Sequence, residues 1–127
     1  MVVRVRFCCA LLLLGLAIMG GCSRPNAPLA VELKLVPEHP RMVAPITFTV
    51  HVADVKGRPI DNAQVSGSLS MKTMDMGKNE LSFQPKGDGN YEASRKEMDM
   101  SGPWDLNLEV SQGSPRTVKT FEIVIYE

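Results

Sequence analysis

Apolar residues in this chain recur at every second position, in one short run after another, and that period selects strands over helices. Val31, Leu33 and Leu35 alternate with Glu32 and Lys34. Ile46, Phe48, Val50 and Val52 alternate with Thr47, Thr49 and His51. The pattern returns in Trp104, Leu106, Leu108 and Val110, and again in Phe121, Ile123 and Ile125. A run with one wet and one apolar face belongs to an antiparallel sheet covered on one side. Ala63 to Ser70 and Leu81 to Phe83 read as further strands, and Tyr91 to Met98, being polar, as an edge strand. No window of a dozen residues keeps the 3.6-residue apolar period of a helix.

The breaks between runs carry turn chemistry. Lys56-Gly57-Arg58-Pro59 closes one strand, and Lys86-Gly87-Asp88-Gly89-Asn90 is a hairpin signal, because glycine takes positive φ without steric cost. Ser101-Gly102-Pro103 and Gly113-Ser114-Pro115 punctuate the last two strands. About seven short strands spaced in this way predict a single immunoglobulin-like antiparallel β-sandwich, an all-β fold. Trp104, the sole tryptophan, heads the most regular strand and is the expected core anchor.

The first residues read as targeting rather than fold. Arg4 and Arg6 precede an unbroken apolar run, Phe7 to Ile18, of twelve residues. A bilayer span needs about 20 apolar residues, so this length fits a signal-peptide core instead. Gly20 and Gly21 lead into Cys22, an ending that resembles the lipobox of bacterial lipoproteins. The expected organisation is a signal peptide over 1–21, a lipidated Cys22 with a proline-containing spacer over 22–28, and the β-domain over 29–127. The competing reading is an ordinary cleaved signal peptide with Cys22 as a bystander. Lipidation implies a membrane-anchored protein of the cell envelope, facing the periplasm or the exterior, because several acyl chains hold where one does not.

After such cleavage the chain has no thiol beyond Cys22, hence neither a disulfide nor a cysteine nucleophile. The 14 Lys+Arg less Arg4 and Arg6 leave 12 against 14 Asp+Glu, without the basic excess of a nucleic-acid binder. The domain contains no HExxH, no Gly-x-Ser-x-Gly and no phosphate-binding glycine loop, so the expectation is a non-enzyme.

Methionine is the unusual residue. Of the eight in the sequence six follow the signal segment, and five of these fall in two clusters: Met71, Met74 and Met76, then Met98 and Met100. Residues two apart in an extended segment share a side, about 6.7 Å apart. Met74 with Met76 and Met98 with Met100 are therefore the candidate metal ligands. Thioether sulfur is soft and neutral, which selects Cu(I) and needs no deprotonation. Asp75 and Asp99 interleave the two clusters. The competing reading is that methionine, an adaptable filler, packs into the core. His39, in a proline-flanked loop near Met42, and His51, in the outward phase of its strand, are secondary ligand candidates.

Several of these pieces resemble, in order and spacing, the YtkA-like domain family, which groups with FixH-like proteins. They are Gly57-Arg58-Pro59-Ile60 with Ala63 and Val65, then Met71 to Asn79, Gly87 to Tyr91, and Met100-Ser101-Gly102-Pro103-Trp104. The resemblance spans roughly Pro45 to Val110. It implies a small exported or membrane-anchored immunoglobulin-like module, of a kind found near copper handling, oxidase assembly or metal efflux. The family's methionine-rich loop and Met-x-Gly-x-Trp segment correspond here to Met74, Met76 and Met100. FixH-like members carry a membrane helix, where this chain carries the lipobox-like Cys22. Two functions follow: a lipid-anchored accessory module holding Cu(I), with a membrane complex or copper-transfer protein as partner, or a metal-free adaptor docking on a membrane complex.

Overall fold

The computed structural model describes residues 28–113 and 116–127; the expected signal peptide over 1–21 and Cys22 with most of its spacer lie outside the described residues. Eight strands and no helix are found among the described residues: β1 (Ala30–Val36), β2 (Ile46–Ala53), β3 (Gln64–Met71), β4 (Asn79–Ser82), β5 (Gln84–Gly87), β6 (Asn90–Arg95), β7 (Gly102–Ser111) and β8 (Arg116–Ile125). They form two four-stranded sheets, ordered β1-β2-β6-β5 and β4-β3-β7-β8. All six pairings between these strands are antiparallel. The fold is the all-β, immunoglobulin-like sandwich that the alternation predicts.

Each sheet contributes the inward phase of its strands to one core. Ile46, Phe48, Val50 and Val52 of β2 and Tyr91 and Ala93 of β6 face Leu69, Trp104, Leu106, Leu108, Val110, Ile123 and Ile125. Trp104 is 1% exposed, as its place at the head of β7 predicts. Among the described residues every buried core side chain lies between Val31 and Ile125.

Two sequence expectations are corrected. The strand expected over Tyr91–Met98 ends at Arg95 and is not an edge: β6 lies between β2 and β5. Its polar residues Glu92 and Ser94 occupy the outward phase, while Tyr91 and Ala93 fill the inward one, so polarity along the run reflects one wet face rather than an open side. The strand expected over Leu81–Phe83 is the first half of a longer crossing. The chain leaves one sheet at Ser82 and joins the other at Gln84, adding a strand to the seven expected. Pro85 is tolerated there because β5 is an edge strand. Phe83, at the crossing, lies against the backbone of Gly67, where an added Cβ would stand 2.9 Å from its ring.

The register divides the molecule into two ends. The start of β1, the 54–63 loop, the β5–β6 hairpin and the Ser111–Arg116 pair of β7 and β8 lie at one end. The opposite end gathers the 37–45 loop, the 72–78 loop between β3 and β4, the 96–101 loop and the chain terminus after β8. Backbone bonds knit that second end: Met42 N–H to the Tyr126 carbonyl (2.9 Å), Tyr126 N–H to the Pro40 carbonyl (2.9 Å) and Met98 N–H to the Met42 carbonyl (2.9 Å).

Candidate functional site

Sequence spacing puts methionines in two clusters; the fold puts Met42, Met71, Met74, Met76, Met98 and Met100, all six among the described residues, at one end of the sandwich. Aliphatic and aromatic residues fill the rest of the core. The six are not equivalent. Met98 is 2% exposed and belongs to the core. Met42, Met71 and Met100 are partly buried and pack against it. Met74 and Met76 are 52% and 42% exposed.

The loop carrying the exposed pair is fixed at its base. Met71, the last residue of β3, stands opposite Trp104, and Lys72 N–H donates to the Pro103 carbonyl (3.1 Å). The Lys72 ammonium pairs with Glu122 of β8 and lies 3.7 Å from Asp105 of β7. The Glu122 hydrogen bond, with help from the nearby carboxylate of Asp105, raises the Lys72 pKa against a smaller opposing effect of burial. Beyond Lys72 the backbone leaves the sheet, and the turn closes at Gly77, whose φ of 74° suits a residue without Cβ. Asp75 accepts a hydrogen bond from the Gly77 N–H (3.2 Å), which turns its carboxylate back into its own loop.

The second cluster does not present a matching pair. Met98 and Met100 fall after β6 has ended, so the extended two-residue repeat that would point both the same way is absent. Met98 turns into the core, with its N–H bonded to the Met42 carbonyl. Met100 holds Trp104 instead: its carbonyl accepts the indole N–H at 3.2 Å. Gly102, the first residue of β7, leaves room for the Met71 methyl, which would stand 3.3 Å from an added Cβ.

The two histidines are separated. His39 is at the methionine end, edge-on to Tyr126 with ring centroids 5.8 Å apart. His51 lies along β2, its Nδ1 3.1 Å from Asn90 Oδ1. Among the described residues no three His, Cys, Asp or Glu side chains gather as a metal-binding group.

The same end exposes apolar surface that alternation does not reveal. Val36, Val43, Val124 and Tyr126 are exposed there, as are Met74 and Met76. Val36 and Val124 occupy outward phases of strands in different sheets, and Val43 stands in a loop.

The sequence profile of the YtkA-like family matches residues 26–109, a span that contains the Gly57–Pro59 turn, the methionine loop and Gly102-Pro103-Trp104. The chain belongs to the YtkA-like family. No curated protein sequence matches it. Solved structures share the fold of this YtkA-like domain at low identity. A DUF4426 family protein from Pseudomonas aeruginosa PAO1 is 17% identical with a TM-score of 0.55, over 77% of this chain and 90% of its own. The filamin domain of Lin-41 is 16% identical with a TM-score of 0.51, over 78% and 95%. A segment of the chitinase ChiW from Paenibacillus sp. str. FPU-7 is 12% identical with a TM-score of 0.55, over 86% of this chain but 9% of that enzyme. These likenesses establish the sandwich and nothing about ligands.

Proposed function

We propose that this YtkA-like domain is an extracytoplasmic, lipid-anchored accessory module, not an enzyme, that holds Cu(I) at its methionine end. The observation that carries this reading is the segregation of all six methionines to one end, with two thioethers left in solvent on a loop pinned by Lys72. Core filling alone accounts for Met98. It does not account for Met74 and Met76, whose apolar side chains stand exposed. Neutral sulfur donors suit a monovalent soft ion at any pH. Met74 and Met76 are the accessible donors, Met100 and Met71 lie partly buried behind the loop, and Met98 supports the loops from within the core.

The supporting test is competition for Cu(I) between residues 29–127 and a chromophoric chelator under reducing conditions. The parent domain is expected to withdraw Cu(I). The Met74→Leu/Met76→Leu variant is expected to stay folded, at a cost under about 1.5 kcal/mol for each swap, and to lose the competition. Met98→Leu serves as a core control and retains it.

The metal-free adaptor is the second reading, and the exposed Val36, Val43, Val124 and Tyr126 favour it. Exposed apolar residues at one end of a domain suit contact with a partner. It takes precedence if the parent domain fails to compete for Cu(I).

A further inference from the structure

The methionine end offers an exposed pair of thioethers, not a finished coordination shell. Met98 is enclosed in the core, and Met42, Met71 and Met100 are engaged in packing against it. Thioethers are neutral and individually weak donors, so a soft ion in water needs more than one pair to displace its solvent. Asp75, whose Oδ1 accepts a hydrogen bond from its own Gly77 N–H, offers only a hard carboxylate oxygen, which a soft ion disfavours. Resting on the soft-metal reading above, we infer that Cu(I) is held between two copies of this chain, each contributing Met74 and Met76.

A two-fold contact meets the donor shortage with one loop used twice, as isologous interfaces do. It places four thioethers around a d10 ion that accepts a tetrahedral shell. The loop is also self-complementary in charge. Asp75 and Lys78 flank Met76, both are exposed, and neither forms an ion pair within its own chain among the described residues. A two-fold axis through the loop allows Asp75 of one copy to meet Lys78 of the other. Val36, Val43, Val124 and Tyr126 are exposed at the same end of the sandwich. Pro28 and the start of β1 are at the opposite end, so a tether there leaves the loop free to meet its counterpart.

The test measures stoichiometry and mass together on residues 29–127, with Cu(I) supplied anaerobically as its acetonitrile complex. Chelator competition is expected to saturate at about half an equivalent of Cu(I) per chain, and sedimentation equilibrium to show the monomer mass doubling only with metal. Met74→Leu/Met76→Leu is expected to abolish both with an unchanged far-UV spectrum. Saturation at one equivalent on a monomer overturns the shared site while leaving the soft-metal reading intact. A dimer that forms equally without Cu(I), or half-equivalent binding retained in the double variant, also overturns it. Failure of the parent to take Cu(I) at all overturns both.

Discussion

At the residue scale the demanding positions are those where backbone approaches backbone. Gly89 is the second residue of the Asp88-Gly89 turn, and both take positive φ (53° and 75°), the geometry of a two-residue hairpin loop. It is also pressed into the end of β2: its carbonyl accepts Val52 N–H at 2.8 Å, and its own N–H donates to Asp61 at 2.6 Å. An added Cβ would stand 2.5 Å from the Val52 carbonyl oxygen and 2.9 Å from Pro59. Neighbouring Gly87 has φ 90° but nothing within 4 Å of such a carbon. Gly87→Ala is therefore expected to cost about 1 kcal/mol from backbone strain alone, and Gly89→Ala clearly more than about 2 kcal/mol. Urea unfolding of the two variants separates them; equal midpoints would show that the packing of Gly89 contributes nothing. Beside it, the Tyr91 hydroxyl donates to the Ile60 carbonyl (2.8 Å) and accepts from Ala63 N–H (2.9 Å), fastening the same loop to β6.

At the element scale, the loops are held by side chains doing backbone work. Asp54 organises the turn after β2, its Oδ1 accepting Lys56 N–H (2.8 Å) and Arg58 N–H (3.0 Å) while Oδ2 accepts Arg58 Nε (2.8 Å). The Arg58 N–H, foremost, holds this carboxyl below its usual range, with the Arg58 guanidinium and Lys56 N–H assisting. A depressed folded pKa means the turn's stabilisation is present above the unfolded-chain value of about 3.9 and disappears as pH falls through the folded value. Asp54→Asn is expected to flatten the acid side of the stability profile and leave the neutral side's shape unchanged. Thermal midpoints measured from pH 2 to 6 read this directly, and a parent-like acid slope in the variant would rule it out. The open edges are treated in the same manner. Lys119 of β8 donates to the Val31 carbonyl of β1 at 2.9 Å, with its ammonium 4.9 Å from the Phe121 ring centroid, occupying an acceptor that a foreign strand would use.

At the scale of the whole molecule, Trp104 joins the sandwich to the methionine end. Its ring is enclosed in the core, its N–H is bonded to Met100, and its register partners are Met71 and Ile123. Trp104→Ala is expected to cost roughly 3–5 kcal/mol. Denaturant unfolding followed by circular dichroism checks the figure, and parent-like stability would remove Trp104 from the core role. The anchoring proposal concerns the segment before the domain. Cys22→Ser is expected to abolish palmitate labelling and release the product from the membrane fraction. Continued labelling of the variant would refute the lipobox assignment.

The fold class was legible because side-chain period and turn chemistry are local properties, written over a few residues at a time. The alternation in β2, β7 and β8, the Asp88-Gly89 turn and the burial of Trp104 follow from it directly. Which strands are edges was not, because pairing order is decided by distant partners; β6 reads as polar and still lies between β2 and β5. The same limit applies to the methionines. Spacing marked Met74, Met76, Met98 and Met100 as one class of residue, yet only the packing of the 37–45 and 96–101 loops buries Met98 while the 72–78 loop leaves Met74 and Met76 in solvent. Composition determined that soft donors are abundant. Tertiary structure decided which of them a ligand can reach, because accessibility depends on what the rest of the chain lays over each side chain.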